Sequence, residues 1–250
     1  VRESSAVQGV IVTVDSPGGT TAGGEAIYEA IRQLAEAKPV VAQVGTLAAS
    51  AGYMVASAAD HIVARQTSIV GSIGVIIQYP DVTDLLSKLG VKVEEVKSSP
   101  LKAEPSPFNP TTDQERQMLA GMINDSYNWF VDLISQRRKL PRNEVVALAD
   151  GSIFTGRQAL ERKLVDALGG EDEAQAWLVD QGLSAELNVV EWKPRSSSGS
   201  IFLPTSVAAW LASALGLPQA TMLLDRLGME HIFLDGLLSL WQPENAGLRD

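Results

Sequence analysis

The chain has 250 residues, of which 45% are hydrophobic and 20% charged, enough apolar mass for a buried core and too little bias for a disordered tail or a disulfide-stapled miniprotein. Lys and Arg number 20 against 30 Asp and Glu, and the resulting net charge of −10 argues against binding a phosphate backbone, so no nucleic-acid partner is expected. With no cysteine and only two histidines, His61 and His231, the chain cannot build a thiolate site or a multi-histidine metal centre, and neither a metal nor a cofactor is expected.

The chain opens on Val1 rather than Met and reads as a truncated or processed product. No apolar run reaches the roughly 18 to 20 residues of a membrane span, so it reads as soluble as given, with any anchor upstream of Val1. Gly9 to Val14 is β-branched and continuous, the pattern of a strand buried on both faces, and it enters the turn Asp15-Ser16-Pro17-Gly18-Gly19. From Gly23 to Ala37, Ala26, Ile27, Ala30, Ile31 and Leu34 recur at three and four, predicting a helix that Lys38-Pro39 stops. Val40 to Val44 is a second strand, followed by a β-to-α passage through Gly45 to Ala59. His61 to Ala64 and Ile73 to Ile77 read as strands, Val82 to Leu89 as a helix and Val91 to Val96 as a strand. This alternation predicts an α/β fold of repeated βαβ units and a mostly parallel sheet with both faces covered. Pro100, Pro105, Pro107 and Pro110 make residues 97–112 a stiff, exposed excursion. A capping box at Thr112-Asp113-Gln114-Glu115 then starts a long helix with Leu119, Met122, Ile123, Phe130, Leu133 and Ile134 on one side, stopped by Pro141. Ile153 to Gly170 and Glu171 to Gln181 add a turn-and-helix pair, and Leu187 to Trp192 a late strand. Residues 1–193 form one domain in this reading. Residues 194–250 form a linker and an apolar helical C-terminal extension, Ser206 to Leu217 and Thr221 to Trp241, packed on a subunit or the core, or held at a membrane surface.

Among the oxygen nucleophiles Ser50 stands out, because it follows a buried strand and opens a helix within Leu47-Ala48-Ala49-Ser50-Ala51-Gly52-Tyr53. A serine there has an exposed hydroxyl at the positive end of a helix, with little bulk around it to block a carbonyl. The same small residues also suit a tightly packed helix in which the serine merely makes close contact. Gly18-Gly19, at a strand-to-helix turn, offers backbone N–H groups to an oxyanion, or is an ordinary glycine turn. A base is needed, and each histidine has a structural reading, His61 on a buried strand and His231 in the apolar tail. Lysine is the other option, provided desolvation or nearby charge lowers its pKa from about 10.4. Lys97 and Lys102 flank Pro100, either presented by the rigid loop or simply solvated.

Four motifs occur in order: Asp15-Ser16-Pro17-Gly18-Gly19, Ala48-Ala49-Ser50-Ala51-Gly52-Tyr53, Gly71-Ser72-Ile73-Gly74-Val75 and Lys97-Ser98-Ser99-Pro100-Leu101-Lys102. Together they resemble the signal peptide peptidase A family of serine proteases. The resemblance continues through Tyr127, Phe130, Thr155-Gly156-Arg157-Gln158-Ala159-Leu160 and Leu164-Val165-Asp166, and so covers about Val10 to Gly170. It implies a Clp-protease/crotonase-like fold and a Ser–Lys dyad, with Ser50 matching the nucleophile, Lys102 the general base and Ser72 a serine that orients the lysine amine. Gly18 or Gly19, with the Ala51 N–H, matches the oxyanion hole. Two positions depart from the family pattern: Ala51 stands where glycine is usual after the serine, and Ser99 where the lysine loop usually has glycine.

The resemblance further implies peptide substrates such as released signal peptides, a ring-shaped homo-oligomer with the serine and lysine drawn from adjacent protomers, membrane association, and a place in the cell envelope facing the periplasm or exterior. Other readings are a Clp-type Ser–His–Asp peptidase using His61, a crotonase-like acyl-CoA enzyme without a nucleophile, and a non-enzymatic scaffold.

Overall fold

In the computed structural model, which describes residues 1–192 and 238–240, the β-branched opening run forms β1 (Val10–Ser16). After Pro17 the chain continues extended as β2 (Gly18–Thr20), not as a turn, and enters α1 (Thr21–Ala35), where the Thr20 hydroxyl accepts the Gly23 N–H at 3.1 Å. β3 (Val40–Ala49) leads through Ser50 into α2 (Ala51–Ser57), and β4 (His61–Ala64) and β5 (Ile69–Gly71) follow. Beyond α3 (Thr83–Lys88) and the proline-rich excursion come α4 (Asp113–Arg138), α5 (Arg142–Leu148), β6 (Ile153–Thr155), α6 (Gly156–Glu161), β7 (Ala167–Leu168) and α7 (Glu171–Asp180). The last described element is β8 (Leu238–Leu240).

β3 organises the sheet. Its first half runs parallel to β1 on one side, Val10 opposite Val40 through Val14 opposite Val44, and to β4 on the other, Val41 opposite His61. Its last residues leave β4 and pair with β5, Leu47 opposite Ile69 through Ala49 opposite Gly71. β7 extends the sheet beyond β4 in parallel, and β6 closes the β5 edge in the antiparallel sense. The mostly parallel α/β sheet expected from the strand–helix alternation is therefore present. A separate antiparallel pair joins β2 to β8, Gly18 opposite Leu240 and Thr20 opposite Leu238.

Burial follows from this placement. Val40, Val41, Ala42, Val44, Ala48 and Ala49 of β3 are inaccessible to solvent, as are Tyr53, Met54 and Ala56 of α2. Complete burial of a side chain such as Met54 or Phe130 contributes roughly 1.5 to 3 kcal/mol. The buried Tyr53 hydroxyl donates to the Leu164 carbonyl at 2.8 Å, and burial pushes its pKa upward, keeping it neutral. Two glycines set the spacing: a β-carbon on Gly24 would meet the Ala51 β-carbon at 3.0 Å, and one on Gly52 the Ser16 carbonyl at 2.6 Å.

Three expected strands are absent. Residues 73–77 leave the sheet because Gly71 and Ser72 adopt φ of 112° and 52°, which turns the chain away after Gly71. Residues 91–96 pair with no strand, and Val91, Val93 and Val96 are exposed. Residues 187–192 carry no regular structure, with Val190 83% and Trp192 64% exposed. The capping box at Thr112 forms with both of its bonds, but α4 ends on Lys139 in the left-handed conformation, two residues before Pro141. Along α4 Phe130, Leu133 and Ile134 are buried as expected, whereas Met122 is 47% exposed.

The chain divides into two compact units, residues 1–185 with 237–250, and residues 186–236. The linker and the helix expected at Ser206 to Leu217 lie outside the described residues, as does His231. Of the stretch Thr221 to Trp241, expected as a helix, residues 238–240 are the described part, and they are the extended strand β8.

Candidate active site

The turn between β3 and α2 holds Ser50 at φ 57° and ψ −123°, a conformation close to the first central position of a type II′ turn that glycine normally occupies. A serine held there stores about 1 to 3 kcal/mol of backbone strain, which the surroundings must over-determine. They do so by hydrogen bonds: the Ser50 N–H donates to the Gly71 carbonyl at 2.8 Å, and the Ser50 carbonyl accepts from the Tyr53 and Met54 N–H groups at 3.0 Å. The exposed hydroxyl expected of a serine at this turn is not found: the small side chains of Ala49, Ala51 and Gly52 let the turn sink into the core, and Ser50 is 2% exposed.

Gly71 carries the same geometry to Ser72. A β-carbon on Gly71 would meet the Ser152 carbonyl at 2.9 Å, and the Ser72 N–H donates to that same carbonyl at 2.7 Å. Ser50 and Ser72 consequently line one cavity of about 350 Å³, together with Val75, Ile76, Tyr127 and Asp150. The Asp150 carboxylate accepts the Ser152 N–H at 2.9 Å, and hydrogen bonding from Ser152 lowers its pKa, so it remains anionic at the cavity rim. Sequence reasoning missed this wall. The turn signal Asp150-Gly151 was legible, but its partnership with Ser72 depends on β6 returning antiparallel to β5.

The other sequence-identified residues fall in three places. Gly18 and Gly19 lie on β2; the Gly18 N–H donates to Ser16 Oγ at 3.2 Å, and open space lies where a Gly19 β-carbon would point. Ala51 is the first residue of α2, so its N–H lies outside the helix's own bonding ladder. Lys102 is exposed in the turn at residues 99–103, its N–H bonded to the Ser99 carbonyl at 3.1 Å, and it does not line the Ser50 cavity of its own chain. Lys97 is gripped between Glu104 and Glu95, whose hydrogen bonds raise its pKa, so it persists as a cation and is a poor base. His61 faces Val41 at the opposite end of β3 from Ser50, roughly 30 Å away at a rise of about 3.3 Å per residue. Its ring stacks on Trp177 with centroids 5.0 Å apart. A Ser–His–Asp triad built from Ser50 and His61 of one chain does not hold.

Among the described residues no cluster of His, Cys, Asp or Glu suits a metal ion, and no helix is long and apolar enough to cross a membrane.

A mostly parallel sheet that delivers a buried serine on a strained strand-to-helix turn defines an α/β protein of the Clp-protease/crotonase-like class. Residues 32–184 match the model of peptidase family S49. The chain is 35% identical over 216 residues to a candidate protease of Methanocaldococcus jannaschii, covering 86% of this chain and 70% of that one. It is 42% identical over 168 residues to a candidate protease of Synechocystis, covering 67% and 61%. It is 32% identical over 232 residues to the chloroplast serine protease SPPA of Arabidopsis thaliana, covering 91% of this chain and 34% of that one. The chain belongs to peptidase family S49, the signal peptide peptidase A family of serine proteases that its motifs resemble, and it spans between 34% and 70% of the length of these relatives.

Proposed function

We propose that this chain is a serine endopeptidase with a Ser50–Lys102 dyad that cleaves extended, mainly apolar peptides such as released signal peptides. The observation that carries the reading is the strained Ser50 turn opening into a cavity shared with Ser72. In the mechanism the neutral amine of Lys102 takes the Ser50 Oγ proton as Oγ attacks the scissile carbonyl, and the tetrahedral oxyanion is received by the Ala51 N–H and a β2 glycine. Two glycines match that role, Gly18, whose N–H is bonded to Ser16 Oγ, and Gly19, which pairs with Ser239 of β8. Collapse of the intermediate returns the proton to the leaving amine, and water deprotonated by Lys102 then hydrolyses the acyl-enzyme. Ser72 holds the lysine amine in place. Val75, Ile76 and Tyr127 supply an apolar wall for the peptide.

Lys102 reaches Ser50 from a neighbouring copy in a ring. Two features support this: its exclusion from its own chain's cavity, and the exposed apolar side chains Val93, Val96 and Phe108 on and beside its excursion, with Leu85 and Leu89 on α3, which a second copy would cover. The same reading places the protein in the cell envelope, associated with the membrane.

The test is labelling by a serine-directed phosphonate, together with hydrolysis of an apolar reporter peptide. Both are expected in the parent chain and lost in Ser50→Ala; labelling that persists at another serine would refute the assignment. Lys102→Ala should abolish hydrolysis with the fold intact, and Ser72→Ala should reduce it less completely. A crotonase-like enzyme without a nucleophile would escape the label altogether.

A further inference from the structure

A second cavity, of about 370 Å³, opens at the end of the sheet remote from Ser50, where Asp60 leads into β4. Arg137, Arg138, Lys139 and Lys163 line it beside Asp60 and Asp166, four cations on a chain whose net charge is −10. Both carboxylates are already neutralised. Asp166 accepts from Arg138 at 2.6 and 3.0 Å and from the Ile62 N–H at 2.8 Å, and it lies 4.0 Å from His61 Nδ1. Asp60 accepts from Arg32 and from the Val40 N–H, both at 3.1 Å. Arg137 donates to the Ser57 and Ala59 carbonyls at the end of α2, each at 2.9 Å, and such neutral acceptors offset only part of its charge.

Lys139 and Lys163 distinguish this cavity from a set of helix-end neutralisations. Each stands just beyond a helix, α4 and α6, in the left-handed conformation, with φ of 53° and 59°. Glycine is the usual residue there because a β-carbon is strained. Neither ammonium has a hydrogen-bond or ion-pair partner among the described residues. Two helices thus end on strained lysines where glycine would relax the backbone, and both lysines line the same cavity.

We propose that this cavity binds a phosphate group, with Arg137 and Arg138 as a pinned floor and Lys139 and Lys163 as the arms that close on it. The three positive charges left over after the two carboxylates are neutralised by Arg32 and Arg138 match a multiply charged oxyanion better than a single carboxylate. Its several oxygens can accept from more than one of these donors at once. The site is independent of the proposed Ser50 chemistry.

The test is thermal unfolding of the intact chain in sodium phosphate against sodium chloride at equal ionic strength. The parent should show a saturable rise in Tm of about 3 to 6 °C at phosphate about tenfold above its Kd. A Lys139→Gly, Lys163→Gly double variant should lose that rise while melting in chloride no lower than the parent, because glycine relieves both positions. A parent that does not respond, or a variant that responds as the parent does, would overturn the proposal. Co-sedimentation with phosphatidylglycerol-containing vesicles, absent with phosphatidylcholine alone and lost in the double variant, would assign the phosphate to a lipid headgroup. A saturable response to inorganic phosphate without vesicle binding would assign it to a soluble phosphate compound. In either case peptide hydrolysis by the double variant is expected to equal that of the parent.

Discussion

Ser50 carries two separable properties, a hydroxyl and a strained backbone, and substitution can take them apart. Ser50→Ala removes the oxygen and keeps a β-carbon at φ 57°, so its unfolding midpoint should stay near that of the parent while hydrolysis disappears. Ser50→Gly removes both, and should be inactive yet more stable by about 1 to 3 kcal/mol in denaturant titration. Equal stabilities for the two variants would mean that the turn is not strained. Gly52→Ala probes the same neighbourhood from below. Its new β-carbon would lie 2.6 Å from the Ser16 carbonyl, a backbone atom that cannot rotate away, so a loss of about 1 to 3 kcal/mol is expected.

At the scale of elements, β3 has two ends with different tasks. Its C-terminal end exchanges β4 for β5 and delivers Ser50; its N-terminal end is held where β4 and α7 meet, with His61 stacked on Trp177. Burial lowers the His61 pKa below its usual 6.5, against the opposing pull of Asp166 and with Arg138 and Glu173 nearby. The unfolded chain then takes up the proton first as pH falls. The stability this contributes is present above about pH 6.5 and is lost as pH drops through the lower folded value. Urea titrations of the parent should show that decline between about pH 7 and 5, and His61→Gln should flatten it without changing peptide hydrolysis. A variant with the parent's full slope would remove His61 as the cause.

For the whole molecule, the proposed site forms only between copies. Specific activity should then collapse on dilution below the dissociation constant of the assembly. Mixing inactive Ser50→Ala with inactive Lys102→Ala should restore part of the activity, because some neighbouring pairs present one intact serine to one intact lysine. If subunit exchange is demonstrated and no activity returns, the dyad closes within one chain or does not exist.

Much of this was legible in the residues themselves. The β-branched run of β1, the three-and-four spacing of α1 and the Thr112 capping box are local patterns, and local patterns survive folding because backbone hydrogen bonding and side-chain periodicity act over a few residues. The ordered motifs around Ser50 and Ser72 were legible for the same reason, and those two serines do line one cavity. What failed to read were segments whose state depends on a distant partner. Residues 73–77 and 91–96 have the composition of strands, but the first makes no more than an isolated bridge at Ile76 and the second forms no strand, whereas Gly18–Thr20 has the composition of a turn and is extended against residues 238–240. Asp150 reaches the cavity only because β6 doubles back on β5. That His61 is remote from Ser50 follows from parallel register alone, since pairing Val41 with His61 puts the histidine at the wrong end of a ten-residue strand. Sequence determines which residues can make a strand, a cap or a nucleophile; pairing partners separated by tens of residues, and hence which side chains meet, are decided when the sheet assembles.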